Sequence, residues 1–164
     1  MKNIFFAILI SFLFILLFFV HSLLAFEQKD VNDLKRLDNF TSIDEFEKYY
    51  ESYIQKCLDS GYGGTGSIPC YSRYELWDRE LNLNYLKLIS KLNKMEIALL
   101  NQSQKKWLES RDLIIKFNSL ILDKSYKEEG TMFLLMRAED ADYSMSLMIK
   151  ERALMLKKWY ERIK

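Results

Sequence analysis

The chain is short of the residues that break helices and of those that most often carry chemistry. One proline and five glycines occur in 164 residues, and four of the glycines fall between Gly61 and Gly66. Long stretches are therefore free of breakers, and no rhythm of strand and turn appears. The single histidine, His21, sits inside an N-terminal apolar segment. If that segment is removed, neither a Ser–His–Asp nor a Cys–His mechanism has its base. The two cysteines, Cys57 and Cys70, form no Cys-x-x-Cys, and no histidine completes a zinc set. The glycine cluster lacks the Gly-Lys-Ser ending of a phosphate loop. Nor does one sign of charge dominate, with 24 Lys+Arg against 23 Asp+Glu. Without a basic excess to neutralise phosphates, nucleic acid is not expected as a partner. No cofactor is implied.

What the chain does have begins at its start. Lys2 is followed by an apolar run from Ile4 to Val20, then His21-Ser22 and Leu23-Leu24-Ala25. Charge, apolar core and small residue in that order describe a secretory signal over residues 1–25. The rival reading is a retained anchor, because the run approaches the ~20 residues that span a bilayer. Membrane association is expected only in that case. No cysteine lies near the cleavage point for lipid attachment. Cleavage would remove Lys2 and leave 23 basic and 23 acidic groups in residues 26–164. Residues 26–60 hold 5 of the basic and 9 of the acidic groups. That acidic third reads as an ordinary solvated surface or, alternatively, as a face for a cationic protein. The expected product is a single periplasmic or secreted domain.

Residues 26–41 are polar without an apolar face and read as a linker; residues 42–164 read as an all-α antiparallel bundle. Ser42 and Glu45 make a capping box before Phe46, Tyr49, Tyr50, Tyr53, Ile54 and Cys57, which recur at helical spacing. The glycine cluster ends that helix. A second helix starts at Pro69 with Ser67 as cap, or later with Ser72 and Glu75, and carries Tyr74, Trp77, Leu81, Tyr85, Leu88 and Leu92. Asn93 and Glu96 cap a third, reaching about Leu122, with Leu100, Gln104, Trp107, Arg111, Ile114 and Asn118 along one side. After a charged connector, Thr131 caps a last helix whose apolar positions include Leu134, Leu135, Ala138, Ala141, Met145 and Met148. Ala153, Leu156 and Trp159 continue that face.

In an oxidising compartment Cys57 and Cys70 are expected to pair, tying the end of the first helix to the start of the second. Closing such a loop stabilises by roughly 3 kcal/mol. Met132, Met136, Met145, Met148 and Met155 lie at helical spacing among leucines and read as core rather than metal ligands. Asp78, Glu80, Asp112, Glu139, Asp140 and Asp142 are acids by type, but nothing pairs two of them across a cleft, so they read as solvated helix charges. One constellation stands apart. Gln104, Trp107 and Arg111 share a face, Asp112 follows, and Asp78 is placed to meet Arg111 across the helix pair. It reads either as a lock between two helices or as a recognition surface.

The same residues carry a family likeness. Cys70-Tyr71, then Trp77-Asp78-Arg79-Glu80-Leu81-Asn82 with Tyr85 and Leu88, then Gln104-Lys105-Lys106-Trp107-Leu108 with Arg111-Asp112, resemble the LprI-type lysozyme inhibitors. Gly130-Thr131-Met132 before a helix adds to the likeness, which spans roughly Tyr53 to Tyr160. It implies an exported all-helical domain that binds rather than catalyses, with lysozyme or another envelope protein as partner. Many members have a cysteine soon after Arg-Asp; this chain has Leu113-Ile114-Ile115, which implies one disulfide. The lipidated cysteine of the lipoprotein members is also missing. For an inhibitor, the closed loop with Tyr62, Thr65 and Ser67 is the expected inserting element. The alternative is an envelope-maintenance or protein-interaction module without lysozyme activity.

Overall fold

The computed structural model describes residues 26, 28–60 and 63–164. The expected signal segment and Tyr62 lie outside them. Among the described residues four α-helices follow in order: α1 (Ile43–Asp59), α2 (Arg73–Ile89), α3 (Lys94–Ser125) and α4 (Thr131–Ile163). Three 3-10 turns, Val31–Asp33, Leu37–Asn39 and Gly64–Cys70, precede or link them. Among the described residues there is no strand, and no helix is long and apolar enough to cross a membrane. The chain is an all-α bundle with one disulfide, as its periodicity predicts.

α1 begins as its sequence dictates. Ser42 Oγ accepts from the Glu45 amide at 3.1 Å, and Glu45 reaches back to the amide and hydroxyl of Thr41, one residue before the expected partner. Phe46, Tyr50, Ile54 and Cys57 are buried, three or four residues apart, while Tyr49 and Tyr53 flank them half-buried. Phe46 meets Trp77 of α2 edge to face at 5.3 Å, and the Trp77 indole N–H donates to the Tyr50 hydroxyl at 3.2 Å. Aromatic edges and a satisfied indole make this the centre of the core.

α2 starts at Arg73; Pro69 belongs to the preceding 3-10 turn. Ser72 occupies the cap position, yet its buried hydroxyl has no partner among the described residues. The cap comes from another helix instead. Asp142 of α4 accepts from the amides of Arg73 and Tyr74 at 3.1 and 2.9 Å and from the Arg73 guanidinium at 3.3 Å. A carboxylate there satisfies orphan donors and complements the positive end of the helix. Burial nonetheless raises the Asp142 carboxyl above its ordinary value, against those donors.

The stretch 26–41, expected as a linker, packs onto the bundle. Leu34 and Leu37 are core residues, and Arg79 explains why. Its guanidinium, buried in α2, pairs with Glu80 and donates to the carbonyls of Val31, Leu34 and Lys35. The segment is thus held both through its backbone carbonyls and by Val31, Leu34, Leu37 and Phe40, which recur every three residues, the period of a 3-10 turn.

Successive helices run antiparallel, and α2 lies parallel to α4, its most extensive neighbour. Asn93 caps α3 through the Met95 and Glu96 amides, with Glu96 returning to the Asn93 amide. α4 begins one residue earlier than a Thr131 cap requires: the cap is Gly130, at φ 134°, a conformation that favours glycine. At 32 and 33 residues, α3 and α4 are each roughly 48 Å long against about 25 Å for α2. Beyond Arg111, α3 therefore runs past α2.

Candidate functional site

α2 and α3 leave a groove of about 390 Å³ between them. Asp78, Leu81, Asn82 and Tyr85 line it from α2; Asn101, Gln104, Lys105, Leu108 and Arg111 line it from α3. Leu81, buried, is the apolar floor. Asn82 and Lys105 are exposed at the rim. On α2 the spacing of Asp78, Leu81, Asn82 and Tyr85 puts all four on one face, and on α3 Gln104, Leu108 and Arg111 do the same. Trp77, one residue from Asp78, turns the other way into the core.

The polar groups are partly engaged. Asn82 Nδ2 donates to Asp78 at 3.0 Å, and Tyr85 donates to Asn101 at 2.5 Å. Arg111 pairs with its neighbour Asp112 at 2.7 Å rather than with Asp78 across the groove. Asp78 is still near enough to help hold the charge on Arg111. Asp78 and Asn82 also edge a larger depression, about 620 Å³, between α2 and the N-terminal arm. They form the ridge between two concave surfaces.

Behind the groove lies a feature that the sequence did not expose. Arg152 of α4 is buried at 5% exposure and has no carboxylate partner among the described residues. Its Nε donates to Gln104 Oε1 at 2.6 Å and its Nη2 to Ser103 at 3.2 Å. The guanidinium carbon stands 5.7 Å from the rings of both Trp107 and Trp159, and Arg111 approaches Trp107 at 5.8 Å. Burial lowers the Arg152 pKa, though guanidinium stays charged. Two indole faces and a carboxamide oxygen are what keep that charge tolerable. The lock expected between α2 and α3 is thus built between α3 and α4. Gln104 spends its acceptor on the lock, and its amide donors remain for the groove.

The disulfide joins Cys57 and Cys70, both buried, with Cα atoms 5.6 Å apart. Thr65 is exposed on the closed loop. Ser67 is buried at 5%, because the 3-10 turn folds it inward, so it cannot insert into a partner. The carboxylates read as solvated charges are mostly occupied: Glu80 with Arg79, Asp112 with Arg111, Asp140 with Tyr126, Asp142 with the α2 terminus. The five methionines are strung along α4 over roughly 35 Å, too far apart to converge. Met132 and Met136 are exposed at 67% and 42% rather than in the core.

A family model described as lysozyme inhibitor LprI matches residues 65–156. The chain belongs to the LprI family. The match takes in the closed loop from Thr65, Cys70, all of α2 and α3, and α4 as far as Leu156. Both walls of the groove and Arg152 therefore lie inside the LprI region, while α1 and the arm lie outside it. No curated protein and no solved structure matches the chain.

Proposed function

We propose that this chain is an exported lysozyme inhibitor of the LprI family that binds through the rim of the α2–α3 groove. The observation that carries the reading is convergence. Asp78, Asn82, Gln104 and Arg111 come from two motifs on different helices, and they line one surface of the matched region. An acid, two amides and an arginine over an apolar floor supply directional donors and acceptors with a desolvated centre, the pattern of a binding surface. The groups are tied to neighbouring side chains, which suits recognition more than turnover. Thr65 on the disulfide-closed loop is a second contact point, pre-ordered by the covalent closure.

The site of action is the periplasm or the medium, consistent with the signal-like start and with cysteines that oxidise. The experiment is a turbidity assay of cell-wall lysis with lysozyme and the oxidised protein. Lysis slows in proportion to added protein, and Thr65→Ala weakens the effect if the loop contacts the enzyme. Lysis unaltered at stoichiometric excess rules out inhibition and leaves an envelope-interaction module in its place.

A further inference from the structure

Gln104 and Asn82, the carboxamides of the two groove-lining motifs, are turned in opposite senses, each by a charged neighbour. Arg152 carries only donors, so Gln104 must show it the oxygen, 2.6 Å from Nε. The carboxamide nitrogen is left for the groove that Gln104 lines, and it has no partner among the described residues although the side chain is only 8% exposed. Asp78, a carboxylate, only accepts, so Asn82 must show it the amino group, at 3.0 Å. The Asn82 oxygen is left without a partner among the described residues.

The other polar groups divide the same way. On α3, Lys105 and Arg111 can only donate, and the Asn101 oxygen is engaged by the Tyr85 hydroxyl at 2.5 Å. On α2, Asp78 can only accept, and Tyr85 has spent its proton on Asn101. One wall is therefore left with donors and the other with acceptors, over apolar Leu81. Charge runs in the same direction, with Lys105 and Arg111 on α3 against Asp78 on α2, Arg111 being shared with Asp112. A carboxylate would satisfy α3 and face bare acceptors on α2; an ammonium would do the reverse. A trans peptide group carries its C=O and its N–H on opposite edges and meets both walls.

We propose that the groove seats main-chain peptide groups of an extended segment of a protein partner, with C=O toward Gln104 on α3 and N–H toward Asn82 on α2. The inhibitor reading supplies only the partner's name, in which case the segment belongs to lysozyme. A cavity of about 390 Å³ falls within the ~300–1,000 Å³ of ligand pockets. Gln104 is the donor that touches the segment, and Arg152 is a positioning residue that acts through it. Recognition through the main chain selects an extended conformation before it selects a sequence.

The test follows the side-chain amides of Asn101 and Gln104 by proton–nitrogen NMR in the oxidised protein as end-blocked trialanine, acetate or methylammonium is added. Trialanine shifts both signals saturably at millimolar concentration, and neither ion does. Gln104→Glu keeps an oxygen for Arg152 but turns the groove-side donor into an acceptor. Read at Asn101, it weakens trialanine by at least ~10-fold while Tm does not fall; a Gln104 that served the lock alone would leave that binding unchanged. Asn82→Ala, at an exposed position, weakens trialanine about 3- to 10-fold without touching the lock. Shifts with acetate and not with trialanine, no shift with any probe, or trialanine binding indifferent to both variants overturns the proposal. Lysozyme titrated into the same proteins separates the two readings. Trialanine bound without lysozyme removes the enzyme as partner and leaves the peptide seat standing. Lysozyme held equally by native and Gln104→Glu protein keeps the inhibitor and overturns the seat.

Discussion

A single side chain, Arg152, accounts for the residue types that surround it on α3. It is a buried cation held by a carboxamide oxygen, a hydroxyl and two indoles, so its neighbours on α3 are constrained by type. Gln104→Ala removes the acceptor and leaves a buried donor unmet, which should cost about 2–3 kcal/mol in urea unfolding with the slope unchanged. A loss below ~0.5 kcal/mol would show that the cradle is not holding Arg152. Asp38 gives a pH prediction of known sign. Burial pushes its carboxyl up, but hydrogen bonds from Lys87 and Lys157 outweigh that and hold it below its ordinary value. A depressed folded value contributes stability that is present above the unfolded pKa and is lost as pH falls through the folded one. The stability gap between the native chain and Asp38→Asn should therefore narrow as pH drops below about 4; a gap that widens there contradicts the assignment. The motif residues were legible from spacing, but their partner was not. Gln104 and Arg152 lie 48 residues apart, and a charged residue flanked by Glu151 and Ala153 carries no sign that it faces inward.

At the scale of elements, local signals performed well where the chain satisfies itself locally. Ser42 and Asn93 start their helices through their own side chains, and both starts were readable. Ser72 looks equally suitable, yet α2 takes its cap from Asp142, 69 residues away from Arg73. No local pattern announces a cap supplied by another helix. The arm was misread for a different reason: Arg79 holds its carbonyls, and Val31, Leu34, Leu37 and Phe40 repeat at three residues rather than at the spacing of an α-helix. The disulfide was readable because export, spacing and an intervening glycine cluster all point the same way. It pins the end of α1 to the turn before α2, and α1 lies outside the matched LprI region. Replacing both cysteines by serine should cost roughly 3 kcal/mol and lower Tm by about 10 °C, measured by calorimetry. A shift under ~2 °C would mean that the aromatic contacts of Phe46 and Tyr50 with Trp77 hold α1 without help.

For the whole molecule, helix number, order and antiparallel run followed from breakers and caps alone. What did not follow was the overhang of α3 past α2, because periodicity reports which residues share a face and not whether anything covers it. Phe117 and Trp107 are both large aromatics on α3; one is exposed at 65% and the other lies between two arginines. The groove occupies the half of α3 that α2 does cover, and both its walls lie within the matched region. The most direct test of that groove as the functional surface is the Kd for lysozyme by titration calorimetry, comparing the native chain with Asn82→Ala/Lys105→Ala. Both side chains are exposed and neither holds the core. The account predicts saturable binding that the double variant weakens by about 10- to 100-fold at unchanged Tm. Binding of equal strength in the two proteins would contradict it.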